Sequence, residues 1–137
     1  MKYAISSKEK AKASGTYPIS TSKAAIVCKM INRKKFAAAK NTIEGMSKEK
    51  ESLRGKYYTK TCEQILKLLN QLESNAKAMN LDTSSLNIFI SSHKGPSMSR
   101  GKRDRRHGVQ MKSTHVQAVL SDKDGFGKKV RETRNKR

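Results

Sequence analysis

The chain is short of three things that most folded domains use freely. Aromatics make up 5% with no tryptophan, and 11 acidic residues face 31 lysines and arginines. No apolar run approaches the ~18 residues of a membrane span. The shortage of acids leaves a net charge of +20 over 137 residues and a sequence pI near 10.3. Charge of that size does not specify a fold, but it strongly implies a polyanionic partner. Cysteine is scarce too: Cys28 and Cys62 stand far apart, without a CxxC. Both fall among helical apolar positions and read as buried, reduced thiols of a cytosolic protein. Met1-Lys2-Tyr3-Ala4-Ile5-Ser6-Ser7 lacks the apolar region of a secretory signal. Hydrophobic content of 34% suits one small core carrying charged extensions.

Catalytic signatures are missing as well. There is no glycine-rich phosphate loop, no GKS or GKT, and no carboxylate pair flanking an apolar cleft. His93, His107 and His115 do not have the spacing of a metal site. No enzyme activity, cofactor or metal is expected.

What is present is organised around residues 86–120. Leu86, Ile88 and Ile90 alternate, and so do Val116, Ala118 and Leu120. Period-2 patterning marks strands with one face on a core. Between them, Lys94 to Gly108 holds six basic residues, one acid (Asp104) and a single apolar side chain beyond its proline, Met98. A hairpin normally turns in two to five residues, and a long structureless insert in a small domain points to function. Without a polyanion such an arm would repel itself and stay disordered. Extended at ~3.3 Å per residue, it would carry Arg103 roughly 30 Å from the strands.

Before this hairpin the periodicity is helical. Pro18 and Ser20-Thr21-Ser22 supply start signals, and Ser22 to Asn32 places Ile26, Val27, Met30 and Ile31 along one stripe. Phe36, Ala39, Ile43 and Met46 predict a second helix, with Gly45 as its stop. Residues 47–60 read as a charged linker. Thr61 and Gln64 form a capping-box pair ahead of a long stripe of Cys62, Ile65, Leu66, Leu69, Leu72, Ala76 and Met79, which Asn80 can end in a left-handed turn. Ala13 to Ile19 could add a third strand. The expected class is α+β: three helices packed on a small antiparallel sheet with a long extended basic β-hairpin. The expected organisation is one domain. Its parts are a basic N-terminal arm (1–12), a body (13–93 and 113–121), the hairpin arm (94–112) and a flexible basic tail (122–137).

In the arm, Lys94, Met98, Arg100, Lys102, Arg103, Arg105, Arg106, His107 and Lys112 are the candidate binding residues. In the body they are Lys12, Lys23, Arg33, Lys34 and Lys35, the last four forming a second patch at helix ends. Arginines meet phosphates by charge and by planar bidentate contacts. His107 either touches phosphate or a base, or has no role. Met98 either plugs a gap in a nucleic-acid surface or stays solvated. His115 opens an apolar strand and reads as a packed structural residue. No groove-entering helix is free, since the helices' apolar stripes serve the core. Structured RNA, with its irregular charge-lined crevices, therefore suits the arm better than duplex DNA.

These residues also carry a resemblance. Pro18-Ile19-Ser20 running into Ser22-Lys23-Ala24 resembles the first-helix entry of the large ribosomal subunit protein twenty-two family. Glu73-Ser74-Asn75-Ala76, then Leu81-Asp82 and Leu86, resembles that family's run into its hairpin. Gly95-Pro96-Ser97-Met98 is similar to its hairpin ascent, and Ser113-Thr114-His115-Val116 to the return strand. The likeness spans residues 11–122, with an arm a few residues shorter than the usual family pattern. The N-terminal extension looks archaeal or eukaryotic. The resemblance implies a structural constituent of the large subunit in the cytoplasm. It would bind large-subunit rRNA and neighbouring ribosomal proteins, its hairpin lining the nascent polypeptide exit tunnel and meeting the nascent chain. The alternative is a free-standing basic protein that binds and compacts DNA.

Overall fold

Twenty residues at the centre of the chain supply the spine of the core. In the computed structural model, which describes residues 11–121, helix α3 runs Thr59–Ala78. Its fully buried Leu68, Leu69 and Leu72 are each worth ~2–3 kcal/mol of burial. Around it, in chain order, lie β1 (Lys12–Tyr17), α1 (Thr21–Ile31), α2 (Phe36–Ser47), β2 (Asn87–Lys94) and β3 (Thr114–Ser121). The fold is α+β: three helices on one side of a three-stranded antiparallel sheet ordered β1-β3-β2. The third strand foreseen near Ala13 is β1. The 1–10 part of the expected N-terminal arm and the expected tail, 122–137, lie outside the described residues.

Sheet register follows the alternation. Ile88 stands opposite Leu120 and Ile90 opposite Ala118, while Ala13 meets Ala118 from the other edge. All of these side chains face the helices and are buried. At the α3 end, Ala11 just before β1 and Ala13 within it put only small side chains on that face, so α3 can lie close over it; Tyr17, further along the strand, packs at the core's edge. Asn75 Nδ2 on α3 donates to the Lys12 carbonyl at 2.8 Å, pinning helix to strand.

The helices depart from the sequence expectation in instructive ways. On α1 the buried face is Ala24, Val27, Cys28 and Ile31, while Ile26 is 41% exposed and Met30 only half-buried. Both stripes have helical spacing. The one with two small residues wins because it lets α1 pack closely on β2.

Gly45 does not stop α2; the helix runs through it to Ser47. Glu49 takes the left-handed position (φ 57°), and the Gly45 carbonyl accepts from Lys50 N–H at 2.9 Å, closing a Schellman turn. α3 begins two residues before the expected capping box. Tyr58, left-handed at φ 54°, is its N-cap, and Thr61 is buried inside the first turn. Its far end is as expected: Asn80 sits at φ 54° and Leu81 N–H reaches back to the Ala76 carbonyl at 3.0 Å. Met79, past the helix end, is exposed rather than part of the stripe.

Cys28 and Cys62 are free and buried. Burial pushes the Cys28 thiol up to about 12, against a smaller opposing pull from Ser92, and the Cys62 thiol up to about 11. No helix among the described residues is long and apolar enough to cross a membrane.

Candidate nucleic-acid interface

The arm grows out of the sheet where burial ends. β2 and β3 pair regularly as far as Lys94 opposite Thr114. One step further the two chains approach so closely that only glycine fits at position 95. A β-carbon there would collide with Ser113 Oγ and stand 3.0 Å from the Ser113 backbone. Gly95 N–H donates to the Ser113 carbonyl at 3.0 Å. The next cross-link joins Met111 N–H to the Met98 carbonyl at 2.7 Å. Pro96 and Ser97 thus sit opposite Lys112 alone, the two-against-one count of a β-bulge.

Beyond the bulge, Ser99 pairs with Gln110 and Arg100 N–H reaches the Val109 carbonyl at 3.1 Å. Residues 101–108 then close in successive turns rather than as extended chain: Asp104 N–H to Gly101, His107 N–H to Asp104, and Gly108 at φ 79°. The single acid of the arm organises this tip. Asp104 accepts the Arg106 amide at 2.9 Å and an Arg100 guanidinium nitrogen at 2.7 Å. Those two bonds, the backbone one first, hold its carboxyl below the ordinary aspartate range.

With Asp104 occupied this way, no other acid among the described residues pairs with the remaining basic side chains of the tip. Lys102, Arg103, Arg105, Arg106 and His107 are exposed, as are Lys94 and Lys112 at the root; Arg100 is half-buried. None of them but Arg100 makes a salt bridge among the described residues. Met98 is 48% exposed and shares one face of the arm with Val109 and Met111, also exposed. At the root, Lys94, Lys112 and Ser113 border a cavity of about 240 Å³ with Ser20 and Ser22 at the start of α1.

The body cations do not form one patch. Lys23 lies in the first turn of α1, and Arg33, Lys34 and Lys35 follow its last turn, ~12 Å further along the axis. The second group is held rigidly against the sheet edge. Arg33 N–H bonds the Ile88 carbonyl at 2.7 Å, and Ile88 N–H bonds the Lys34 carbonyl at 2.9 Å. Arg33 adopts φ 66° to make this turn, and all three side chains point to solvent. Lys12 lies half-buried on β1, opposite Val119. Lys23 instead borders a groove of about 400 Å³ with Lys56, Tyr57, Tyr58, Thr59, Lys60 and Thr61. In the sequence these groove residues fall in the charged linker and the helix start. The signal for them is a tyrosine doublet following a lysine in an otherwise aromatic-poor chain.

The histidines do structural work where the strands carry them. His115 bonds Thr16 Oγ1 through Nδ1 and packs its ring 5.2 Å from that of His93 across β2 and β3. No cluster of three or more metal-ligating side chains occurs among the described residues.

An exposed basic arm rooted in an α+β body suits a polyanionic partner, and comparison with known families narrows the choice. Residues 13–121 match the family described as Ribosomal protein L22p/L17e. The chain belongs to that family. It is therefore a ribosomal protein of the large subunit, from a family of structural components of the translation machinery, and it binds rRNA and other ribosomal proteins. The match covers every described element except the first residue of β1. No curated protein matches the chain closely enough for a pairwise comparison.

Proposed function

We propose that the body sits on the large-subunit surface of cytoplasmic ribosomes, near the mouth of the nascent-chain exit tunnel, while residues 94–112 run inward through rRNA and form part of the tunnel wall. The arm's electrostatics carry this reading: four exposed lysine and arginine side chains lie between Lys102 and Arg106, and the one acid among them is consumed in bonds to the Arg106 amide and the Arg100 guanidinium. Phosphates on either side of a narrow crevice would supply the missing counter-charge. The apolar face of Met98, Val109 and Met111 leaves the arm one surface that phosphate does not satisfy, and a passing polypeptide can slide over it.

A photo-crosslinker placed at position 103 in ribosomes stalled with a labelled nascent chain tests this. The expected result is a crosslink to the nascent chain from position 103 and none from position 34. Crosslinks from 103 to rRNA alone would remove the tunnel assignment. Co-sedimentation of the native chain with large subunits after a moderate salt wash separates this reading from the DNA-compacting alternative, which requires release.

A further inference from the structure

The groove beside the start of α3 lies apart from the arm and has its own chemistry. We propose that it binds one unpaired nucleotide of the RNA, with the base stacked on Tyr57 and the phosphate among Lys23, Lys56 and Lys60. This rests on the rRNA-binding role of the chain but not on the arm's path into the tunnel.

The groove's volume of about 400 Å³ is in the range that holds a small-molecule-sized group. Three of its seven lining residues are lysines, two are tyrosines and none is acidic. The tyrosines are not equivalent. Tyr58 packs against the core, whereas Tyr57 is 42% exposed. An exposed ring lining the same groove as three lysines is the pairing that single-stranded nucleic acid selects, since every base has a π-face and every residue a phosphate. The amides of Thr59 and Lys60, in the first turn of α3, add donors at the same end, where no side chain caps the helix.

The wall is set before any ligand arrives. Leu53 and Lys56 exchange backbone hydrogen bonds at 2.8 and 3.1 Å, closing a turn through Arg54 and Gly55. Leu53 in turn packs on the core. Lys56 and Tyr57 are thus presented by a rooted turn. A base stacked inside a duplex offers its face to its neighbours and not to Tyr57, so the site selects an unpaired nucleotide. The lining carries few groups able to read a base edge, so it tolerates any base.

Binding of the full chain to a short oligouridine and to an RNA duplex of the same length tests the site. Having no tryptophan, the protein reports through tyrosine emission, which stacking quenches. Tyr57→Ala should weaken oligouridine binding about ten-fold and leave duplex binding unchanged. Tyr57→Phe should keep the affinity while removing most of the quenching. Lys56→Ala should lower the salt slope for oligouridine by about 0.7. Equal losses for both RNAs, or native affinity in Tyr57→Ala, would overturn the site. Competition by polyglutamate with the same dependence on Tyr57 would overturn it in favour of an acidic protein partner. The groove and the arm are tested separately: replacing Arg103, Arg105 and Arg106 with Ala should leave the Tyr57-dependent ratio intact, whatever becomes of the tunnel assignment.

Discussion

Two stretches of the same antiparallel pair, one in the body and one in the arm, are held by different forces. From Asn87 to Lys94, β2 is matched residue for residue with β3, and Ile88, Ile90, Val116, Ala118 and Leu120 are buried under the helices. From Gly95 to Ser113 the same two chains continue with one bulge and scattered backbone bonds. No apolar residue of that stretch belongs to the core. Burial makes the first stretch rigid whatever surrounds it. The second has a framework of backbone bonds plus Asp104, and each such bond exchanges for water at a net gain of only ~1 kcal/mol. The body is thus held by burial, and the arm by backbone bonds and Asp104 alone.

The largest expected effect is in the body. Leu69 is fully buried on α3, so Leu69→Ala should cost ~2–5 kcal/mol through reduced burial and the cavity left behind. Deleting residues 99–107 removes nothing from the core, and the body should melt at nearly its original temperature. Thermal melts of the two variants compare the regions directly. A body unfolded by the loop deletion and indifferent to Leu69→Ala would reverse the division between them.

Next comes the arm's contribution to binding. Replacing Arg103, Arg105 and Arg106 together with Ala should weaken rRNA binding and flatten its dependence on salt, by roughly one unit of slope for each phosphate no longer neutralised. Stability should be unchanged, because all three side chains are exposed. A titration of the triple variant across salt concentrations decides it. An unchanged slope would make the arginines a solvated charge run.

How much of the fold and the site is legible in the residues alone follows the same division. Where burial decides, the apolar pattern is sufficient. Ile88 and Ile90 announce β2, with Leu86 buried just ahead of it, and Phe36, Ala39, Ile43 and Met46 announce the face of α2. Where two faces compete, as on α1, hydrophobicity points to Ile26 and Met30. Close packing chooses Ala24 and Cys28, and no count of apolar residues weighs size in that direction. Helix ends are legible when the turn residue is asparagine, as at Asn80. They are not when Glu49 and Tyr58 take left-handed positions for which their side chains have no preference. In the site, charge locates the arm, but the folding of its tip around Asp104 depends on two bonds that only proximity reveals. The groove at Tyr57 needs Lys23 brought from another helix.

The smallest expected effects come from two acids that do the same job in the two regions. Glu73 on α3 takes Lys40 of α2 at 2.7 Å and Lys77 of its own helix at 2.8 Å. Lys40, then Lys77, lowers its carboxyl from an ordinary 4.5 to about 2. A carboxyl depressed on folding contributes stability that is full above its unfolded value and is lost as pH falls through the folded one. The Glu73 contribution should therefore fade from about pH 4.5 toward 2. The pair lies near the surface, so Glu73→Gln should cost ~1 kcal/mol or less at neutral pH and nothing at the acid end. Asp104 is depressed in the same direction, but it ties only the arm, so Asp104→Asn should leave the melt of the body untouched. It should instead raise amide exchange of Arg106, whose N–H loses its charged acceptor, and acid should do the same to the native chain. Exchange measured per residue in the two variants sets body and arm side by side. If Asp104→Asn lowered the melting temperature as much as Glu73→Gln, the arm would be part of the cooperative unit and not a framework standing on it.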